Sequence, residues 1–431
     1  MQRLAIKVPK PTPASAAMKK VMENPPPPEK PLGSIGALHL SGLENGTLAV
    51  IIKKTYDLFP NALPRVADEQ MAIDAEGQLY DPITEVVEPS WKSLPEMIGH
   101  KTGTDVILQG FARPPQPTTN WKVGIRLGSY THEALVFGRR EVDVVHNRLV
   151  FTPPQPFEAL PLRYELAYGG ADLVYEETYL KELKKNIPED KFRRAIPALE
   201  HLWGDNNYLL RYPRNRFGMA YAVAPHPNWH IGRTLPHLER PDDRLTPERL
   251  ICSNPAHWQK QPIPIGFDYL DPYTFPINAM MGIPPPGFDP AGPQPEVKRN
   301  LLPVDFFRGS IAHTIGPDIA TVLHPMLGRQ ASLGLWFGHL RGSETLELLG
   351  VDPAYPVFRV VLPNEYPVVI PLKGLQLPEV KSIQLTKIHL DSENRKLIQT
   401  WSVRYNMQTA PHPDWLKALP ENVQVHYKRI S

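Results

Sequence analysis

Cysteine is almost missing from this chain: Cys252 is the only one in 431 residues. No intrachain disulfide can form, and a thiolate-rich metal site within one chain is excluded. Such sparing use of cysteine suits a reducing cytoplasm. An excess of charge of either sign is also missing. Lys plus Arg number 47 against 45 Asp plus Glu, a formal charge of +2, which gives no global field for capturing nucleic acid or an anionic membrane. No run approaches the roughly 18 apolar residues of a membrane span. Lys7, Lys10, Lys19 and Lys20 stand near the start with no apolar stretch of a secretory signal behind them. The composition therefore points to a cytoplasmic protein with neither nucleic acid nor membrane among its partners.

Proline is present in excess. The 51 prolines amount to about 12% of the chain against a usual level near 5%. Because proline lacks the amide hydrogen and fixes φ, these segments run as loops or extended connections over a scaffold. Residues 1–32 combine Pro9, Pro11, Pro13 and the run Pro25 to Pro28 with scattered lysines, and read as a disordered arm that buries too little apolar surface to offset ordering. Residues 196–300 are irregular and rich in Pro and aromatics, with Pro284-Pro285-Pro286-Gly287 followed by Pro290, Pro293 and Pro295. This stretch reads as the linker or partner-facing zone.

Between these regions the hydrophobic period is close to two. Val123, Ile125 and Leu127 alternate with Lys122, Gly124 and Arg126; Val142 and Val144 alternate with Glu141 and Asp143; Leu162, Tyr164 and Leu166 alternate with Arg163 and Glu165. Each pattern predicts a half-buried strand of antiparallel type. One helix is expected over Glu176 to Asn186, ended by Pro188. Past Leu301 strands return, with a hairpin predicted about Asp391-Ser392-Glu393-Asn394. The fold expected is mainly β, an antiparallel β-sandwich or partly closed barrel with long proline-rich loops and few short helices. An N-terminal β-rich domain is placed at 33–195 and a second β-rich lobe at 301–431.

The motifs along the first half come in an unusual order. Lys54-Thr55-Tyr56-Asp57-Leu58 is followed by Lys101-Thr102-Gly103-Thr104-Asp105, Gly110-Phe111-Ala112-Arg113-Pro114 and Val136-Phe137-Gly138-Arg139-Arg140. Pro161-Leu162-Arg163-Tyr164-Glu165-Leu166-Ala167-Tyr168-Gly169-Gly170 and Tyr212-Pro213-Arg214-Asn215 come next, and Gly218 and Leu235-Pro236-His237-Leu238-Glu239 extend the order. This order resembles the domain of unknown function 2169 family, encoded in bacterial type VI secretion clusters. The chain departs from the family pattern at Arg139, where Gly-Asp-Arg is usual, and at Asn215-Arg216-Phe217-Gly218, where Asn-Pro-x-Gly is usual. The resemblance implies an adaptor or chaperone that joins a cognate toxic effector to the spike, with a VgrG-like spike protein and a PAAR-type tip protein as further partners. Of the residues that carry it, Lys54, Lys101, Gly103, Thr104, Asp105, Gly138, Pro161, Leu162, Tyr164, Glu165, Gly169, Gly170, Asn215 and Gly218 read as structural.

Residue constellations for chemistry are scarce. His132-Glu133 begins like a zinc-protease helix, but Val136 stands where the second histidine is required, in a segment of strand character. His226 and His230 have the spacing of two ligands on one helix face, yet Pro225 and Pro227 oppose that helix and a third ligand is missing. Gly99-His100-Lys101-Thr102-Gly103 lacks phosphate-loop spacing, and Ser332 lacks the first glycine of a nucleophile elbow. Asp242 and Asp243 are adjacent, so their carboxylates need not converge. No catalytic residue, metal or cofactor is expected. Tyr212, Arg214 and Trp229 are the candidate partner contacts, since large rigid rings often anchor interfaces. The alternatives are a structural subunit of the injection apparatus and a loop-built hydrolase or carbohydrate-active enzyme.

Overall fold

The computed structural model describes residues 33–40, 47–83, 90–97, 101, 103–168, 185, 231–250, 265–269, 335–372, 375–407 and 411–430. The architecture is mainly β, as expected. The larger sheet runs β1 (Ser34–Leu40), β2 (Thr47–Asp57), β19 (Lys396–Asn406), β18 (Val380–Asp391), β6 (Thr104–Gln109) and β14 (Trp336–Phe337), with β3 (Arg65–Val66) also on β2. The second sheet runs β13 (Leu238–Glu239), β9 (Tyr130–Phe137), β8 (Asn120–Leu127), β15 (Thr345–Leu349) and β16 (Val357–Val361). Four two-stranded pairs complete the strands: β4 (Gln78–Leu79) with β5 (Trp91–Ser93), β7 (Phe111–Ala112) with β12 (Leu160–Pro161), β10 (Val142–Val145) with β11 (Arg148–Phe151), and β17 (Glu365–Pro371) with β20 (Val423–Arg429). The described helices are short, α1 (Pro247–Leu250) and α2 (Pro413–Ala418). None of the described helices is long and apolar enough to cross a membrane.

Turn chemistry sets the local hairpins. At β10–β11 the two connecting residues, His146 and Asn147, have φ of 50° and 60°, the left-handed pair that matches the twist of flanking strands. At β18–β19 the Asp391 carboxylate accepts from the amides of Glu393 at 3.0 Å and Asn394 at 2.9 Å, an Asx turn that closes the predicted hairpin. The two large sheets then share one core. Leu48, Val50 and Ile52 of β2 and Leu385, Ile388 and Trp401 of the long hairpin join Val123, Ile125, Val136, Leu346 and Phe358 of the second sheet in a single buried cluster. Among the described residues this is a sandwich-like body with no closed barrel.

Three details go beyond the sequence reading or differ from it. The β-rich stretches 33–195 and 301–431 pair with each other as well as within themselves: β19 lies on β2 from Asp57↔Lys396 to Thr47↔Asn406, and β15 lies on β8. A strand such as β2, buried on both faces over ten of its eleven residues, must satisfy hydrogen bonds on both edges, and it takes the partner that burial brings rather than the nearest in sequence. Second, not every pairing is antiparallel, because β6 lies parallel to β18. Third, the alternation across Leu162, Tyr164 and Leu166 is not a strand. Only Leu160–Pro161 pairs, Tyr164–Leu166 forms a 3₁₀ turn, and Glu165 is buried along with its apolar neighbours. The arm 1–32, the helix expected at Glu176–Asn186 apart from Lys185, and residues 196–230, 251–264 and 270–300 lie outside the described residues.

Candidate functional site

Successive residues of a strand face opposite sides, so Lys53 and Lys54 of β2 leave the sheet in opposite directions, yet both are buried. On one side, Lys53 Nζ donates to Glu96 Oε2 at 2.7 Å and to the Ala72 carbonyl at 2.8 Å. Lys387 of β18 pairs with the other oxygen of Glu96 and donates to the Tyr269 hydroxyl at 3.3 Å. The parallel register of β6 and β18 puts Lys387 beside Asp105. Asp105 in turn accepts from Lys101 Nζ at 2.6 Å. Gly103 is the buried bend between them, and Thr104 ties β6 to β18 through the Leu385 carbonyl at 2.6 Å. The signature Lys101–Asp105 is thus part of a buried ionic layer between the larger sheet and residues 67–83 and 90–97, which cover it.

Burial by itself would raise the Glu96 carboxyl, but Lys387 and Lys53 outweigh that effect and hold it at about 2. Burial would likewise lower Lys387, which Glu96 and Tyr269 instead raise. Lys53 and Lys101 are lowered because desolvation exceeds what their carboxylates restore. The charges on Glu96 and Lys387 are therefore held by their partners rather than by solvent.

A second node adjoins the first. The buried Asp268 accepts from Gln109 Nε2 at 2.8 Å, from the Tyr80 hydroxyl at 2.5 Å and from the Tyr269 amide at 2.8 Å. Burial pushes its carboxyl up to about 7 against these three donors, and the nearby Glu165 adds to the rise. Glu165 is itself raised by burial, with Arg163 Nη1 at 3.8 Å. The Arg163 guanidinium stacks 4.3 Å from the Tyr80 ring centroid and donates to the Asp81 carbonyl at 2.7 Å. Tyr164 and Leu162 are buried beside this turn, and the Leu162 amide bonds the Gly110 carbonyl at 2.9 Å. Pro161 closes the short pairing with Phe111.

On the opposite face Lys54 reaches Glu365 Oε1 at 2.5 Å and lies 3.5 Å from the Tyr427 ring centroid. The Tyr56 hydroxyl donates to the same oxygen. This cluster fastens the β17–β20 pair to β2. At the far end of the second sheet Gly138 lies against the Gln155 backbone, where a Cβ would collide with the carbonyl. Its neighbour Arg139 pairs with the half-buried Glu141 at 3.0 Å, while Arg140 is buried, bonding Glu239 and the Pro236 carbonyl over the Phe137 ring. The cation that departs from the family pattern thus makes its own local pair.

The structure brings Lys101, Gly103, Thr104, Asp105 and Glu165 to one buried region and Lys54 to the other side of the same sheet. It places Gly138 apart from both. Gly169, Gly170, Tyr212, Arg214, Asn215, Gly218 and Trp229 lie outside the described residues, as do His226, His230 and Ser332. Sequence reading missed Lys53, Glu96, Lys387 and Asp268, which complete the nodes. Two adjacent lysines closing the apolar run Leu48–Ile52 were the available signal. Both belong to one strand, so a core on each face forces each lysine to find a buried partner. Glu96, Asp268 and Lys387 lie 43 to 334 residues from Lys53 and carried no such mark.

Elsewhere, His132 sits in β9 as its strand character implied, with Nε2 at 2.9 Å from the Gly266 carbonyl, and burial lowers it to about 4, so it is neutral at pH 7. Asp242 and Asp243 bind different arginines, Arg240 and Arg249, and do not converge. Among the described residues no three His, Cys, Asp or Glu side chains are grouped to hold a metal. The amines and carboxylates of the ionic layer satisfy one another, so its chemistry is the locking of a sheet to its cover. Residues 44–402 match one family model, described as an uncharacterized protein conserved in bacteria. No curated protein and no solved structure matches the chain.

Proposed function

Because this chain belongs to the DUF2169 family of uncharacterized proteins conserved in bacteria, we propose that it is a cytoplasmic adaptor that binds one toxic type VI secretion effector and loads it onto the VgrG-like spike and its PAAR-type tip. The observation that carries this reading is the position of the family-type residues. Lys54, Lys101, Thr104, Asp105 and Glu165 are all buried; Lys54 fastens the β17–β20 pair to β2 through Glu365, and Lys101 pairs with Asp105 at the start of β6. A sequence signature made of buried locks maintains a shape, which suits a protein whose product is a surface rather than a reaction. A preorganised surface loses less entropy on binding. Deletion of this protein, followed by secretion assays, should stop export of one cognate effector while tube assembly and export of other effectors continue. Loss of sheath assembly or of all secretion would instead make it a structural subunit of the injection apparatus. Effector export that persists without the protein would overturn the adaptor role.

A further inference from the structure

We infer that the outer edge of β16 is a docking site for an extended segment of a partner protein, added to the second sheet as its next strand with an acidic residue beside Arg359. β16 is the last strand of that sheet. Its ladder with β15 is bracketed by the Leu362 amide on the Glu344 carbonyl at 2.9 Å and the Gly350 amide on the Pro356 carbonyl at 3.0 Å. Residues 358 and 360 share the parity of these ends and bond β15, so the backbone groups of Val357, Arg359 and Val361 point away from the sheet. Only the Arg359 amide meets an acceptor among the described residues, the Asn61 side-chain oxygen at a long 3.3 Å. Val357 is 48% exposed, and the loop carrying Asn61 also presents Leu63 at 68%.

The charge pattern selects the occupant. Across the outer face of this sheet Arg126 of β8 and Arg359 of β16 both bind Glu347 of β15, at 2.9 and 3.2 Å. One carboxylate shared by two guanidiniums leaves a positive excess at the sheet edge. The alternation Arg126, Glu347, Arg359 therefore continues with a carboxylate on an added strand, directly opposite Arg359. Two residues along, the same strand places a side chain beside the exposed Val357, where an apolar group fits. Main-chain pairing supplies affinity and these two positions supply selectivity. The inference deepens the adaptor reading, on which it rests for the identity of the partner, and its chemistry is tested without any secretion component.

The probes are two fluorescein-labelled peptides of alternating valine and threonine, one with glutamate at its centre and one with lysine, followed by anisotropy and by amide exchange of the full-length protein. The glutamate peptide should bind at least tenfold more tightly and should slow exchange at Val357 and Val361. Val357→Pro removes an outward-facing amide without touching the β15 ladder, and should abolish that binding at an unchanged melting temperature. Arg359→Glu should reverse the preference between the two peptides. Binding of neither peptide would overturn the proposal, since a short edge strand carrying an arginine also serves to discourage pairing. Equal binding of both, or binding insensitive to both substitutions, would overturn it as well. A protein that binds the glutamate peptide but whose deletion leaves effector export intact would keep this edge and discard the adaptor reading.

Discussion

Replacing Glu96 by glutamine tests the buried ionic layer at its centre. Glu96 is 5% exposed and receives Lys53 and Lys387, one on each oxygen, together with the Asp74 amide at 2.8 Å. The amide keeps the volume but removes the negative charge and turns an NH₂ donor toward one ammonium. Removal of one partner from a buried pair costs about 3–5 kcal/mol, because the remaining charge stays desolvated. A second route gives a similar size. Holding the carboxyl at about 2 against an ordinary 4.5 corresponds to about 3 kcal/mol at roughly 1.4 kcal/mol per unit. The net worth of the whole cluster is smaller than this, since burial lowers Lys53 and Lys101 and that desolvation opposes the gain at Glu96.

The folded-state value of Glu96 is depressed, so its contribution is fully present above about 4.5 and is lost as pH falls toward about 2. Urea unfolding as a function of pH should show the wild type losing about 3 kcal/mol across that window beyond what Glu96→Gln loses, with the two curves converging at the acid end. A triple variant, Glu96→Leu with Lys53→Met and Lys387→Met, should recover most of the stability, because apolar replacement of a complete buried cluster is often neutral. A Glu96→Gln variant within about 1 kcal/mol of wild type at pH 7, or a triple variant less stable than the single one, would show that these charges do not hold the cover on the sheet.

Three further outcomes are expected. Lys54→Met should cost about 2 kcal/mol, below the usual range for a buried pair because Glu365 retains access to solvent, and amide exchange should accelerate first in β17 and β20, which Lys54 anchors through Glu365 and Tyr427. Gly138→Ala drives a Cβ into the Gln155 carbonyl, so soluble yield and the melting temperature should fall sharply, whereas Gly128→Ala, with nothing within 4 Å of its added carbon, should carry only the cost of its positive φ, about 1 kcal/mol. Asp268 has a folded value raised from 3.8 to about 7, so the native state binds the extra proton and stability declines as pH rises between those values, by at most about 4 kcal/mol. Asp268→Asn should flatten that slope and be more stable relative to wild type at pH 8 than at pH 5, as measured by denaturant unfolding at both.

Much of the fold was legible because period-two alternation is a local property. Val123, Ile125 and Leu127 needed only their own pattern to be read as a strand facing a core, and the Asp391 turn needed only its four residues. The 3₁₀ turn at Tyr164–Leu166 escaped the same reading because alternation there reflects burial of all its residues, Glu165 included. The site was half legible. Lys101, Thr104 and Asp105 are close in sequence and were picked out together, whereas Glu96 and Lys387 are solitary charges in unremarkable segments, and only their shared burial gives them a role.

The amino-acid order by itself determined that this is a β-rich chain with proline-stiffened connections, no disulfide and little net charge, because composition and period express backbone geometry and side-chain chemistry within a few residues. Tertiary structure alone decided that the two ends of the chain interleave in shared sheets, that β6 pairs in parallel with β18, and that Lys53, Lys54 and Lys387 are balanced by carboxylates from distant segments. Those outcomes rest on which faces are buried against which, and burial is settled by the whole chain at once: a strand with two covered faces and two edges takes its partners from wherever the collapsed core supplies them.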